Sequence, residues 1–340
     1  MITPKERLFS AIKRKDVDRP PCICPGGMMN MIIEEVMDRT RVEWPEAHSD
    51  PHLMARLTYG IYENGGFENV GVPFCMTVEA EAMGAEVFLG SKINEPRVSK
   101  YPIESARQWE ILNKIDLREG RTKVVLDAIG YLKKIDENVP IIGNLTGPIS
   151  LASSLMEPTY FYKELRKDPK KIHEYMNFVT KELIIFGRAQ LEAGADIIAI
   201  SDPGGTGEIL GPKFFKEFAI PYLNKIVDEL KPYAVGGIII HICGKLESIY
   251  KELNELHSDA ISIESATAIK EIAKNIEDKA IMGNVSTYAI EKNNSESVGK
   301  LSKFCIESGV HILAPACGIG VRSGLINIQS MVNVCKKYEK

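Results

Sequence analysis

The sequence predicts one α/β domain over residues 1–340, a (β/α)8 TIM barrel with an N-terminal helical extension. The first observation is that, from about residue 138, short apolar runs of strand length alternate with amphipathic helices. Near-continuous apolar strands between helices are typical of a parallel sheet covered on both faces. The second observation is repetition, because residues 192–201 and 307–316 share a layout of helix end, glycine and strand. An open doubly wound sheet is the alternative, but the sequence lacks a GxGxxG dinucleotide loop.

The predicted elements follow one another without a linker rich in serine, glycine or proline. Thr3-Pro4 with Glu6 forms a capping box that predicts a first helix. The short apolar run Cys22–Cys24 predicts the first strand, and a second helix is expected over Met28–Met37. The later strands are predicted at the apolar runs 140–143, 197–200, 238–240, 260–263, 280–283 and 312–314.

Composition excludes several classes of protein. The chain has 44% hydrophobic and 26% charged residues, which is ordinary for a globular protein and excludes disorder as the main state. The net charge of −4 is a poor electrostatic match to nucleic acid or to an anionic membrane. The charged N-terminus has no signal-peptide pattern, so a cytoplasmic protein without disulfides is expected.

Two strand ends carry residues that predict a metal site. The run at 238–240 leads into His241-Ile-Cys243-Gly, and the run at 312–314 leads into Cys317-Gly. Residues i and i+2 of a strand point to the same face, so the imidazole and the first thiol converge. The carboxyl ends of barrel strands meet at one rim, which brings Cys317 to them. One histidine and two cysteines are the protein ligands of a catalytic zinc site with an open fourth position, so Zn²⁺ is expected here.

Two carboxylates at the same rim are candidate catalytic residues. Glu264 ends the run at 260–263 and is expected to fill the fourth zinc position at rest, leaving when substrate binds. Asp202 ends the run at 197–200 and is expected to orient substrate or the ligating histidine, or to accept a thiol proton. The alternative for Asp202 is an aspartate that caps the next helix, and the alternative for the cysteines is buried packing.

The other cysteines and histidines predict no second metal site. Cys22 and Cys24 share the i, i+2 spacing, but buried packing is favoured for them over a place at the rim. His48 and His52 are four residues apart, as ligands on one helix face would be. Asp50-Pro51 predicts a helix start between them, so they are not expected to share a metal.

Several segments together resemble a known family, the methylcobamide:coenzyme M methyltransferases of the uroporphyrinogen decarboxylase superfamily. The resemblance runs over nearly the whole chain, and its specific part is the His-x-Cys pair with the distant Cys-Gly. The segments that carry it are His241–Gly244, Leu313–Ile319, Trp44–His48, Val78–Gly84 and Asp196–Pro203.

The resemblance implies a barrel that holds zinc through His241, Cys243 and Cys317. It also implies that the zinc activates the thiol of coenzyme M, which takes a methyl group from methylcobamide on a separate corrinoid protein. The chain has no Asp-x-His-x-x-Gly run that would bind the corrinoid itself, so a partner must supply it. Uroporphyrinogen decarboxylases carry an Arg-Gln-Ala-Gly-Arg stretch where this chain has Pro25–Asn30 without arginine, which speaks against decarboxylation.

Two alternatives stay open at this point. One is a related corrinoid methyltransferase with another donor or acceptor, such as a methoxylated compound or tetrahydrofolate. The other is a non-catalytic barrel that binds a corrinoid protein. An open zinc position favours catalysis, because structural zinc sites are normally closed by four protein ligands.

Overall fold

The computed structural model describes residues 2–338, and a curved parallel sheet lies at their centre. The strands of the chain are β1 Val70–Val72, β2 Glu86–Phe88, β3 Arg97–Lys100, β4 Ile141–Thr146, β5 Ile197–Ser201, β6 Gly237–Ile242, β7 Ala260–Ile263, β8 Ala280–Val285 and β9 Ile312–Pro315. Seven of them form the parallel sheet in the order β1-β4-β5-β6-β7-β8-β9, and β2 and β3 form a separate antiparallel hairpin. This is the α/β arrangement of a TIM-barrel-like fold.

The two edges of the sheet are joined by residues 21–24, which we call the closure segment. On one side, Ile23 N donates to Leu313 O of β9 at 3.0 Å. On the other side, the side-chain amide of Asn69 accepts from Cys24 N at 3.0 Å and donates to Cys24 O at 2.8 Å. The closure segment therefore takes the place of a strand between β9 and β1, which argues against an open doubly wound sheet.

A cluster of buried charges fixes the start of the closure segment. Arg19 makes two hydrogen bonds to the Glu68 carboxylate, at 2.6 and 2.9 Å, and Cys22 N donates to the same carboxylate at 2.9 Å. Arg7 of the first helix binds Asp18 through two bonds of 2.7 Å. These ion pairs tie the N-terminal residues to the chain just before β1.

Helices cover the outside of the sheet, and none of those in residues 2–338 is long and apolar enough to cross a bilayer. Short 3₁₀ helices lie at Glu46–His48, Ala106–Ile111 and Glu247–Ile249, and a π-helix lies at Phe215–Ala219. The α-helices are α1 Pro4–Ile12, α2 Glu34–Thr40, α3 Pro51–Glu63, α4 Val78–Ala82, α5 Gly120–Leu132, α6 Pro148–Leu155, α7 Pro158–Lys167, α8 Pro169–Ala193, α9 Gly207–Phe214, α10 Ile220–Leu230, α11 Tyr250–Leu253, α12 Ile269–Asn275, α13 Thr287–Lys292, α14 Ser295–Glu307 and α15 Leu325–Lys336.

All six apolar runs of the second part of the chain are strands, because each is buried along its whole length. The capping box at Thr3 also forms and begins α1 as predicted. The helix expected over Met28–Met37 is wrong in its first half, since α2 begins only at Glu34. Residues 28–33 instead follow a non-helical path that is buried except for the half-buried Met28. Their backbone bonds to other loops, as when Ile319 N donates to Asn30 O at 2.9 Å.

Candidate metal centre

The predicted ligands meet at the carboxyl ends of β6 and β9. His241 is the fifth residue of β6, and Cys243 follows the strand's last residue, so the two side chains share a face. His241 Nε2 lies 3.2 Å from Cys243 Sγ, and Cys243 Sγ lies 3.9 Å from Cys317 Sγ. The three ligand atoms all lie within 4.8 Å of one another. His241 is buried, whereas both cysteines are partly accessible.

These distances fit a zinc ion. Zn–S bonds of about 2.3 Å at the tetrahedral angle place two sulfurs about 3.8 Å apart, and the observed separation is 3.9 Å. Zn–N bonds of about 2.0–2.1 Å place nitrogen and sulfur about 3.6 Å apart, slightly more than the 3.2 Å found. Among the histidines, cysteines and acidic residues of the described chain, this trio is the one group with such convergence.

The imidazole of His241 is oriented from behind by a serine. His241 Nδ1 lies 2.9 Å from Ser262 Oγ of the neighbouring strand β7, and the same hydroxyl donates to Met29 Sδ at 3.4 Å. Because Nε2 faces the cysteines, Nδ1 is the nitrogen that carries the proton and donates to the serine. A hydrogen bond of this kind fixes the tautomer of a metal-binding histidine.

The two thiols influence each other's ionisation. The hydrogen bond from Cys243 lowers the pKa of Cys317, and His241 acts in the same direction. The hydrogen bond to Cys317 raises the pKa of Cys243, and burial adds to that shift. The pair therefore releases its first proton readily from Cys317, which prepares one thiolate for a cation.

Asp202 lies outside the trio. Its carboxylate is fully buried and accepts from Ser150 Oγ at 2.6 Å, from Ser150 N at 2.8 Å and from Ile149 N at 3.3 Å. Burial raises the pKa of Asp202 to about 6, while the bonds from Ser150 oppose that shift. These contacts place the carboxylate at the N-terminus of α6, which precedes Asp202 in the chain. The next helix, α9, is capped by Thr206 and not by Asp202.

Glu264 lies at the rim but faces its own loop. One carboxylate oxygen accepts from Ser265 Oγ at 2.7 Å, and the other accepts from Ala266 N at 3.1 Å. The charge of Glu264 still contributes to the raised pKa of Cys243. The carboxylate is therefore within electrostatic range of the thiols without being one of the converging ligand atoms.

Comparison with known proteins identifies the family of the chain. The family model of uroporphyrinogen decarboxylase (URO-D) matches residues 3–338. The chain belongs to the URO-D family. Its N-terminal helix, central sheet and ligand trio all lie within the matched residues.

Within the URO-D family, the chain is similar to methyltransferases of methanogens. It is 35% identical to the methylcobamide:CoM methyltransferase MtbA of Methanosarcina acetivorans, over 99% of this chain and 98% of that protein. It is 33% identical to the methylcobamide:CoM methyltransferase MtaA of Methanosarcina barkeri, with the same coverage. A solved methyltransferase from Methanosarcina mazei aligns over 100% of both chains with a TM-score of 0.92 and 30% identity. These relatives confirm the resemblance to this methyltransferase group and support the prediction of a methyltransferase enzyme.

The other cysteines and histidines contact protein groups. Cys22 and Cys24 are fully buried, and Cys24 Sγ donates to Met29 O at 3.1 Å. His48 is the last residue of a 3₁₀ helix and packs against Trp44. His52 lies in the first turn of α3 and stacks on Tyr131 of α5. The predicted separation of His48 from His52 is confirmed, because α3 begins between them.

Sequence reasoning missed two side chains of this URO-D-family site. Ser262 lies inside β7, and only the register that pairs it with His241 reveals its contact. Met28 lies on the loop after the closure segment, with its sulfur 3.9 Å from Cys243 Sγ. The only sequence signal for Met28 is that Pro25–Asn30 contains no arginine, unlike the matching stretch of the decarboxylases.

Proposed function

We propose that this chain is a zinc-dependent methyltransferase that moves a methyl group from a methylated corrinoid protein to a thiol, with coenzyme M as the acceptor. The observation that carries the proposal is the convergence of His241, Cys243 and Cys317 at the carboxyl ends of the strands. Three ligands without a fourth leave a position for substrate, as in catalytic zinc sites. The relatives named as methylcobamide:CoM methyltransferases support the donor and the acceptor.

Each residue of the centre has a distinct task in this proposal. His241, Cys243 and Cys317 hold the zinc, and Ser262 keeps the imidazole in the binding tautomer. When bound, zinc supplies Lewis acidity that lowers the pKa of a thiol from about 8.5 toward neutrality. Both cysteines are partly accessible, so the thiol proton can leave to solvent as the acceptor enters.

The transfer step needs few acid–base groups. The acceptor thiolate attacks the methyl carbon, a sulfur–carbon bond forms, and the cobalt–carbon bond breaks with its electron pair left on cobalt as Co(I). No proton has to be given to this leaving group. The reaction therefore needs no general acid beside the three converging ligands. The corrinoid is expected to arrive on its own protein.

We assign the two carboxylates different roles. The charge of Glu264 acts on the Cys243 thiol, and we propose that its carboxylate fills the fourth zinc position at rest once its bonds to Ser265 and Ala266 break. Asp202 accepts from Ser150 at the N-terminus of α6, and the hydroxyl of Ser150 accepts from Gly204 N in the loop after β5. We therefore propose that Asp202 positions the rim around substrate through Ser150. X-ray absorption at the zinc edge tests Glu264. A nitrogen or oxygen neighbour should give way to sulfur on thiol addition, and an unchanged shell would contradict exchange at the metal.

The decisive experiment follows methylcobalamin by its visible spectrum. Purified protein with about one zinc per chain should demethylate methylcobalamin when coenzyme M is added, with release of a proton on thiol binding. Both signals should disappear after zinc is removed and return when it is restored. Demethylation at full rate without zinc would refute the mechanism. Activity with tetrahydrofolate but not with coenzyme M would refute the acceptor.

A further inference from the structure

The loop after the closure segment places one methionine directly on the metal centre. This loop, Pro25–Asn30, is called the methionine loop below. Met28 Sδ lies 3.9 Å from Cys243 Sγ, the same separation as between the two cysteine sulfurs. Met28 is half-buried, whereas its neighbours in the loop are buried. The Met28 side chain is therefore partly accessible and lies next to the Cys243 thiol.

The backbone of the methionine loop is held firmly. Gly26 N donates to Met29 O at 3.1 Å, and Gly27 N donates to Pro73 O at 2.8 Å. Both glycines have positive φ, and a Cβ at either would lie within 3.0 Å of the side chain of Asn144. Only glycine adopts this turn at such close approach. The position of Met28 is thus fixed by its backbone.

The loop is also packed against the strand end that carries the other thiol. A Cβ at Gly318, the residue after Cys317, would lie 2.5 Å from Met28 O. Met28 therefore touches the surroundings of both cysteine ligands, through its sulfur at Cys243 and through its carbonyl at Gly318. The sulfur of its neighbour Met29 instead accepts a hydrogen bond from Ser262 Oγ.

We infer that Met28 is a specificity-determining residue, which forms an apolar wall beside the position where the acceptor sulfur binds. The inference rests on the proposed function for the identity of the acceptor. A thioether offers apolar volume and no hydrogen-bond donor, so it favours a slim carbon chain next to the reacting sulfur. An acceptor branched at that carbon must displace the Met28 side chain, whereas an unbranched thiol passes it.

Alkylation of the metal-free protein tests the wall without depending on activity. Iodoacetamide is a small reagent and N-phenylmaleimide a bulky one, and their rates at Cys243 and Cys317 can be measured by peptide mass spectrometry. The ratio of the two rates cancels changes in thiol pKa, because both reagents attack the same thiolate. The other five cysteines are buried and serve as slow internal references.

Met28→Ala should raise the bulky-to-small ratio at Cys243 about tenfold, the low end of what a lost apolar contact gives in discrimination. Met28→Leu keeps the volume and should leave the ratio within about twofold of the wild type. Met176→Leu, at a buried methionine of α8, is the control, and it should also leave the ratio unchanged. An unchanged ratio in Met28→Ala would overturn the inference.

The zinc-loaded enzyme then connects the wall to the acceptor. Met28→Ala should reduce the preference in kcat/KM for ethanethiol over 2-propanethiol about tenfold, with zinc content unchanged. An unchanged preference would remove the role in specificity even if alkylation changes. If the wild type demethylates methylcobalamin with no thiol, the proposed function fails, while the alkylation ratio still decides whether Met28 shields the site.

Discussion

Removal of the Ser262 hydroxyl tests how strongly the orientation of His241 contributes to metal binding. In Ser262→Ala, the buried His241 Nδ1 loses its partner at 2.9 Å. An unsatisfied buried donor costs about 1–3 kcal/mol. Loss of a hydrogen bond to a metal-binding histidine lowers affinity about 10- to 100-fold, or about 1.4–2.7 kcal/mol. The two figures agree, so we expect the zinc dissociation constant to rise by that factor while Cys243 and Cys317 remain.

Competition with a chromophoric chelator measures this dissociation constant at fixed pH. Ser302→Ala is the matched control, because Ser302 is equally buried but donates to a helix carbonyl remote from the site. The control should bind zinc as the wild type does. An affinity in Ser262→Ala within twofold of the wild type would show that the serine does not support the ligand. Urea unfolding of the metal-free proteins separates a general loss of stability from a loss of affinity.

Three further changes test other parts of the structure. Cys243→Ala should lose most of its zinc by elemental analysis, because two ligands remain of three, and full retention would contradict the ligand assignment. Asp202→Asn should keep zinc but lower turnover. Since the folded pKa of Asp202 is about 6 and its ordinary value is 3.8, the wild type should lose about 2 kcal/mol of unfolding free energy relative to this variant as pH rises from 4 to 7. A pH-independent difference in urea unfolding would contradict the raised pKa. Glu68→Gln should cost about 3 kcal/mol in urea unfolding, because the buried Arg19 loses its carboxylate. The exposed pair of Glu63 with Arg56 provides the control, and Glu63→Gln should change stability by less than about 1 kcal/mol.

The strands of the second part of the chain could be predicted because a strand buried on both faces consists almost entirely of apolar residues. Runs such as Ile197–Ile200 are apolar at every position. The first strand of the sheet, β1, does not stand out as such an apolar run. Val70–Val72 contains three residues with a central glycine, and its place is set by pairing with β4 and not by its own pattern. The closure segment pairs with β9 through the backbone, but on the β1 side the side chain of Asn69 takes part in the pairing, which no strand pattern predicts.

The ligand trio could be predicted because strand periodicity and barrel geometry together fix where side chains meet. The orientation of the carboxylates could not, since Glu264 and Asp202 have partners within loops and helix ends that no strand pattern encodes. Met28 was expected on a helix because methionine and isoleucine favour one. Hydrogen bonds to loops elsewhere in the chain hold residues 28–33 in a non-helical path instead.

The closure segment affects where the barrel opens locally. Elsewhere adjacent strands are joined by regular backbone ladders, but this seam depends partly on the amide of one side chain, Asn69. Regions with few backbone bonds open locally at lower free energy than the rest of a fold. The amide of Cys24 should therefore exchange with deuterium earlier than those of β5. Met28 follows this seam by four residues, but Gly26 and Gly27 between them are bonded to Met29 and Pro73. Local opening at Cys24 should therefore stop at these glycines, so the side chain beside the metal centre keeps its place while the barrel seam exchanges.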